Sequence, residues 1–103
     1  MLSAVAFGDF NNDGLMDKAA LTAPTTITVS LAKPDGSYAV SATLRAPKNL
    51  PMGGITVGDF NADGKLDITG HVLNKPFTRH IWLGRGDGTF GKRSTVMPGP
   101  GAA

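Results

Sequence analysis

Asp9, Asn11, Asp13 and Asp17 stand at alternating places around Gly14, in the pattern D-x-N-x-D-G-x-x-D. Fifty residues later the pattern returns as Asp59, Asn61, Asp63 and Asp67 around Gly64. Three carboxylates crowded into one short loop repel one another, and a cation relieves that repulsion. Four side-chain oxygens, the backbone carbonyl of Leu15 or Lys65, and water reach the roughly six to eight oxygens that Ca²⁺ accepts. Two Ca²⁺ sites are therefore expected, with Mg²⁺ the weaker candidate because it demands tighter octahedral geometry. Gly14 and Gly64 permit the sharp bend. Phe10 and Phe60 lie between ligand positions, point away from the ion, and are both expected in the core. A turn rich in Asp and Asn that binds nothing is the plainer alternative, and the repeated spacing argues against it. A helical calcium hand begins with the same residues, but its twelfth position carries a carboxylate. Here the twelfth positions are Ala20 and Gly70.

These loops hold most of the acid in the chain. There is no glutamate, six of the eight aspartates lie in the two loops, and Asp35 and Asp87 lie in glycine turns. With the six set aside, ten basic residues face two acidic ones, +8, against a formal net charge of +2 for all 103 residues. The lysines and arginines are scattered rather than run together, so no nucleic-acid partner is expected. No apolar stretch approaches the roughly 20 residues of a membrane span. The N-terminus lacks a basic region followed by an apolar one, so no export signal is expected within these residues. With no cysteine, no disulfide stiffens the fold.

The elements that must hold the loops are also written twice. Val5-Ala6-Phe7-Gly8 precedes one loop, and Ile55-Thr56-Val57-Gly58 the other. Val29-Ser30-Leu31 through Tyr38 then aligns with Ile81-Trp82-Leu83 through Phe90 at an offset of fifty-two. The two extra residues belong in a surface loop around residues 74–78. Short runs of Val, Ile, Thr and Leu broken by Gly, Pro, Asn and Asp read as strands. The expected strands are 3–8, 18–23, 26–32 and 37–45, then 54–58, 67–73, 79–84 and 89–96. Pro34-Asp35-Gly36-Ser37 and Gly86-Asp87-Gly88-Thr89 read as tight turns joining the third and fourth strands of each unit. The fold class is all-β: two four-stranded antiparallel units, 1–47 and 48–97, with a flexible tail at 98–103.

The chain resembles the FG-GAP/VCBS repeat family, whose repeats are blades of integrin-α-like β-propellers. The resemblance rests on Phe7-Gly8-Asp9-Phe10-Asn11-Asn12-Asp13-Gly14 with Asp17, Val57-Gly58-Asp59-Phe60-Asn61-Ala62-Asp63-Gly64 with Asp67, and the Leu83–Phe90 hairpin (residues 83–90). It implies antiparallel blades with a calcium loop between the first two strands, in a secreted, periplasmic or cell-surface setting. Ala32 and Pro34 replace expected glycines, and Lys18-Ala19-Ala20 is a weak start for a strand, so the first unit is expected to be the less regular one. Propellers close with roughly four to eight blades. Two blades therefore imply further blades of the same chain, or copies of it, as partners.

The expected function is a non-enzymatic calcium-binding module serving as scaffold or adhesion surface for a protein or glycan ligand. A lectin-like propeller is the alternative, with Trp82 and Tyr38 stacking on sugars and His71, His80 and Arg79 binding hydroxyls. Against it, Trp82 reads more simply as packed between blades or at a blade edge, and each histidine as solvated or at a strand end. A fragment of a polysaccharide-active enzyme is weaker still. No catalytic set can be assembled without stripping the metal loops of their aspartates.

Overall fold

The computed structural model describes residues 4–75 and 77–96. The strands are β1 (Val5–Gly8), β2 (Asp17–Ala23), β3 (Thr26–Ala32), β4 (Tyr38–Arg45), β5 (Met52–Gly58), β6 (Asp67–Val72), β7 (Arg79–Trp82) and β8 (Ser94–Val96). They form two four-stranded antiparallel sheets in the orders β1-β2-β3-β4 and β5-β6-β7-β8. Within each sheet every strand neighbours the next in sequence, and no helix occurs among the described residues. The all-β, two-blade expectation holds. The longer β6–β7 connection carries the extra residues, six between Val72 and Arg79 against two between Ala23 and Thr26. The flexible tail expected at 98–103 lies outside the described residues.

The expected regularity is reversed. In the first blade β2, β3 and β4 run 7, 7 and 8 residues, whereas β7 and β8 have only 4 and 3. Lys18-Ala19-Ala20 opens a full strand because Ala19 is completely buried, and small size is what that position needs. In the second blade the ladder breaks after Trp82. Gly84 lies so close to the loop backbone that a Cβ there would collide with the Leu66 carbonyl oxygen. One isolated bridge, Gly84 to Phe90, replaces the expected early part of the last strand.

The core lies between the sheets. Ala19 pairs with Val29, and Leu21 with Ile27, so these side chains share one face of the first blade. They join Phe10 and Leu44 from the first blade and Met52, Ile55, Ile68, Trp82 and Phe90 from the second in one cluster. Phe10 meets Phe90 edge to face at 5.7 Å, a favoured aromatic geometry. Ser41 donates to the Gly88 carbonyl at 2.9 Å, and the Met52 N–H to the Pro24 carbonyl at 2.7 Å, so polar contacts also join the blades.

The opposite faces are open. On the first blade Val5, Phe7 and Val40 are exposed, and the Lys18 ammonium lies 4.9 Å from the Tyr38 ring centre. On the second, Phe60 is 49% exposed, against 2% for Phe10. The expectation that both phenylalanines enter the core is therefore corrected. The two occupy equivalent loop positions, but only Phe10 has a blade beyond it.

Candidate metal centre

Each loop is a tight coil between two strands. Gly14 and Gly64 adopt φ of 85° and 83°, a region nearly closed to residues with a Cβ. Asn12 and Ala62, two residues earlier, are also left-handed at 59° and 58°. The sequence reading missed these. Asn at the first position is a usual left-handed residue, but Ala62 carries no such signal.

The first carboxylate of each loop binds the coil's own backbone. Asp9 accepts from the N–H groups of Asp13 at 3.2 Å and Gly14 at 2.8 Å. Asp59 accepts from those of Asp63 at 3.1 Å and Gly64 at 2.8 Å. For Asp9, partial desolvation raises the carboxyl pKa, but the N–H groups of Gly14, Asp13 and Asn12 together hold it below its ordinary value. For Asp59, the Gly64 N–H leads the same effect. Asp13 and Asp63 accept from the N–H groups of Leu15 at 2.9 Å and Lys65 at 3.0 Å.

Asp17 and Asp67 do something the sequence did not reveal. Both are fully buried, with 0% exposure. One oxygen of Asp17 accepts from the Phe10 N–H at 2.9 Å, and the other from the Ala32 N–H at 2.8 Å. Asp67 repeats this with Phe60 at 3.0 Å and Gly84 at 2.8 Å. Each carboxylate thus ties the start of its loop to the chain at the end of the third strand (Ala32) or just beyond it (Gly84). Because Asp17 also fixes the Phe10 backbone, it links the first loop to the seam between blades.

The oxygens converge. Within each triad, Asp9-Asp13-Asp17 and Asp59-Asp63-Asp67, carboxylate oxygens lie within 4.8 Å of one another. Asn61 aims its amide into this cluster, 3.0 Å from Asp63, 3.1 Å from Asp59 and 3.2 Å from Asp67. With nitrogen turned inward the amide donates to the carboxylates. With oxygen turned inward, four oxygens face one another, and a cation is the partner they require. In the first loop Asn11 donates from Nδ2 to Asp13 at 3.2 Å, while its Oδ1 is buried without a hydrogen-bond partner. A buried unpaired acceptor is costly unless something absent from the protein chain satisfies it. This donor set of oxygens alone fits a hard divalent cation.

The residues suggested for sugar contact separate. Trp82 and His80 are 3% and 0% exposed. His80 is not the solvated residue expected. Its Nε2–H donates to the Leu50 carbonyl at 3.1 Å and its Nδ1 lies 2.9 Å from the Thr95 hydroxyl, which Arg93 also contacts. Burial pushes the imidazole pKa down, and the nearby Arg93 charge adds to this, while the Leu50 bond opposes it. Tyr38 lies under Lys18, and only His71 and Arg79 line a cleft.

Comparison with known proteins returned one family. The profile of the FG-GAP-like repeat matches residues 9–69, from the first loop through the second and into β6. No curated protein and no solved structure matches the chain. With more than half of its 103 residues covered, the chain belongs to the FG-GAP-like repeat family, a β-propeller-type repeat module.

Proposed function

We propose that this chain is a non-enzymatic module that binds two calcium ions and serves as a scaffold or adhesion surface. The observation carrying this is the convergence of carboxylate and amide oxygens in each loop, with Asn11 Oδ1 buried and unpaired. The ligands are Asp9, Asn11, Asp13, Asp17 and the Leu15 carbonyl in one loop. In the other they are Asp59, Asn61, Asp63, Asp67 and the Lys65 carbonyl. The ion is structural: it neutralises the triad and locks the coil, so that the strands it joins stay in register. Loops of modest affinity suit a secreted, periplasmic or cell-surface location, where millimolar calcium is available. Among the described residues no helix is long and apolar enough to cross a membrane. Further blades of the same chain cover the first blade's outer face. Val5, Phe7 and Val40 lie exposed there, at 42%, 55% and 66%.

Calcium titration tests this reading. Saturating calcium raises the melting temperature, chelator reverses the rise, and Asp13→Ala or Asp63→Ala each removes one ion's share. Parent and both variants melting alike at every calcium concentration would refute the metal assignment. Light scattering with and without calcium tests whether assembly follows the ion.

A further inference from the structure

The strand register defines which positions of the two blades correspond, and the face that packs inward on the first blade is the outer face of the second. On the first blade this face consists of Ala6, Ala19, Leu21, Ile27, Val29, Ala42 and Leu44, with Phe10 above it. The corresponding residues of the second blade are Thr56, Thr69, His71, Arg79, Ile81, Ser94 and Val96, with Phe60 above. Five small or apolar side chains have become Thr, Thr, His, Arg and Ser. A face meant to bury itself against another apolar sheet would not carry a guanidinium in place of a fully buried isoleucine.

The same residues enclose a cleft of about 310 Å³ lined by Thr56, Phe60, Thr69, His71, Arg79 and Ile81. That is the small end of ligand-sized clefts, roughly 300–1,000 Å³. Phe60 offers a half-exposed ring at one wall. His71 Nε2 lies 2.8 Å from the Thr56 hydroxyl, which fixes the imidazole across two strands. Arg79 is exposed and, among the described residues, has no carboxylate within ion-pair reach. An aromatic wall, hydroxyl and imidazole groups, and a free fork of N–H donors match a ring that has an apolar face, several hydroxyls and a carboxylate.

We propose that the outer face of the second blade is a binding site for an acidic saccharide of the uronate type. Phe60 stacks on the sugar face, Arg79 pairs with the carboxylate, and Thr56 and His71 meet hydroxyls. A second copy of the chain is the competing occupant, and charge disfavours it. Head-to-tail stacking would place Lys18 and Arg79 where Ile68 and Ile27, both 0% exposed, now share one core.

The test is a titration of the full chain with a digalacturonate and with its neutral galactose counterpart, followed by amide NMR at fixed free calcium. The expected result is saturable shifts at Thr56, Phe60, His71, Arg79 and Ile81 with the acidic sugar only. Arg79→Gln, at an exposed position, should weaken binding at least ten-fold while keeping the parent's calcium-dependent melting temperature. Phe60→Ala should weaken the same binding independently. Shifts confined to the metal loops, equal binding by Arg79→Gln, or no saturation at millimolar sugar would overturn the proposal. So would sedimentation showing self-association through this face. The sugar site is read at constant ion and from Thr56, His71, Arg79 and Ile81, which lie outside the metal loops, so its failure and the failure of the calcium reading are distinguishable.

Discussion

Phe10 and Phe60 are one residue written twice, so truncating each to alanine isolates the value of a neighbouring blade. Phe10 is 2% exposed and packs edge to face on Phe90. Removing a buried phenyl loses its transfer energy and leaves a cavity, together about 3–5 kcal/mol. Phe60 is 49% exposed. It can lose only about half of the roughly 1.5–3 kcal/mol that full burial of such a side chain provides, and water fills the space, so about 1 kcal/mol is expected. Against a total stability of roughly 5–15 kcal/mol, Phe10→Ala sits near the edge of folding and Phe60→Ala does not. Urea unfolding in saturating calcium, with both variants fitted at the parent slope, measures the difference. Equal costs for the two would refute the reasoning, because Phe60 would then be buried against something in solution.

Three further outcomes follow from the loops and the buried histidine. Asp17→Ala should lower the melting temperature in chelator more than Asp13→Ala does, since it strips two buried or half-buried charge-assisted bonds from the Phe10 and Ala32 N–H groups, whereas Asp13→Ala loses only exposed bonds to Leu15 and Asn11 and should show most of its effect when calcium is present. Ala62→Gly should stabilise the chain by up to about 1 kcal/mol in chemical denaturation, because alanine is held at φ 58°. Acid should act in two windows. His80 is held below 6.5, so the unfolded chain takes up its proton first and stability falls as pH drops from 6.5 toward the lowered folded value. Asp9 and Asp59 are held below 3.8, so what they contribute is present above 3.8 and lost as pH falls through their lower folded values. A melting temperature that is flat between pH 7 and 5 would remove the histidine argument.

What could be read beforehand was local, and what could not depended on neighbours. The D-x-N-x-D-G-x-x-D spacing gave the loops, and alternation such as Ile27-Thr28-Val29 gave the strands, because both signals are complete within a few residues. Phe60 carries the same local signal as Phe10, and its exposure follows only from blade order. His80 lies in a strand of mixed character, and its burial requires the Leu50 carbonyl from the linker between blades. Gly84 and Ala32 do the same work for Asp67 and Asp17, and at Gly84 the approach of the Leu66 carbonyl leaves no room for a Cβ. The polar character of the second blade's outer face was legible in principle. Aligning the repeats sets His71 against Leu21 and Arg79 against Ile27, a comparison that becomes meaningful once strand register says which face each occupies.

The unlike outer faces give the pair a direction. A chain in which the second blade came first would turn His71 and Arg79 into the seam and leave Leu21, Ile27 and Val29 wet. The halves are related in sequence but not exchangeable in order. The shared architecture is written twice, and a few strand positions decide that one outer face is polar while the face at the seam is apolar.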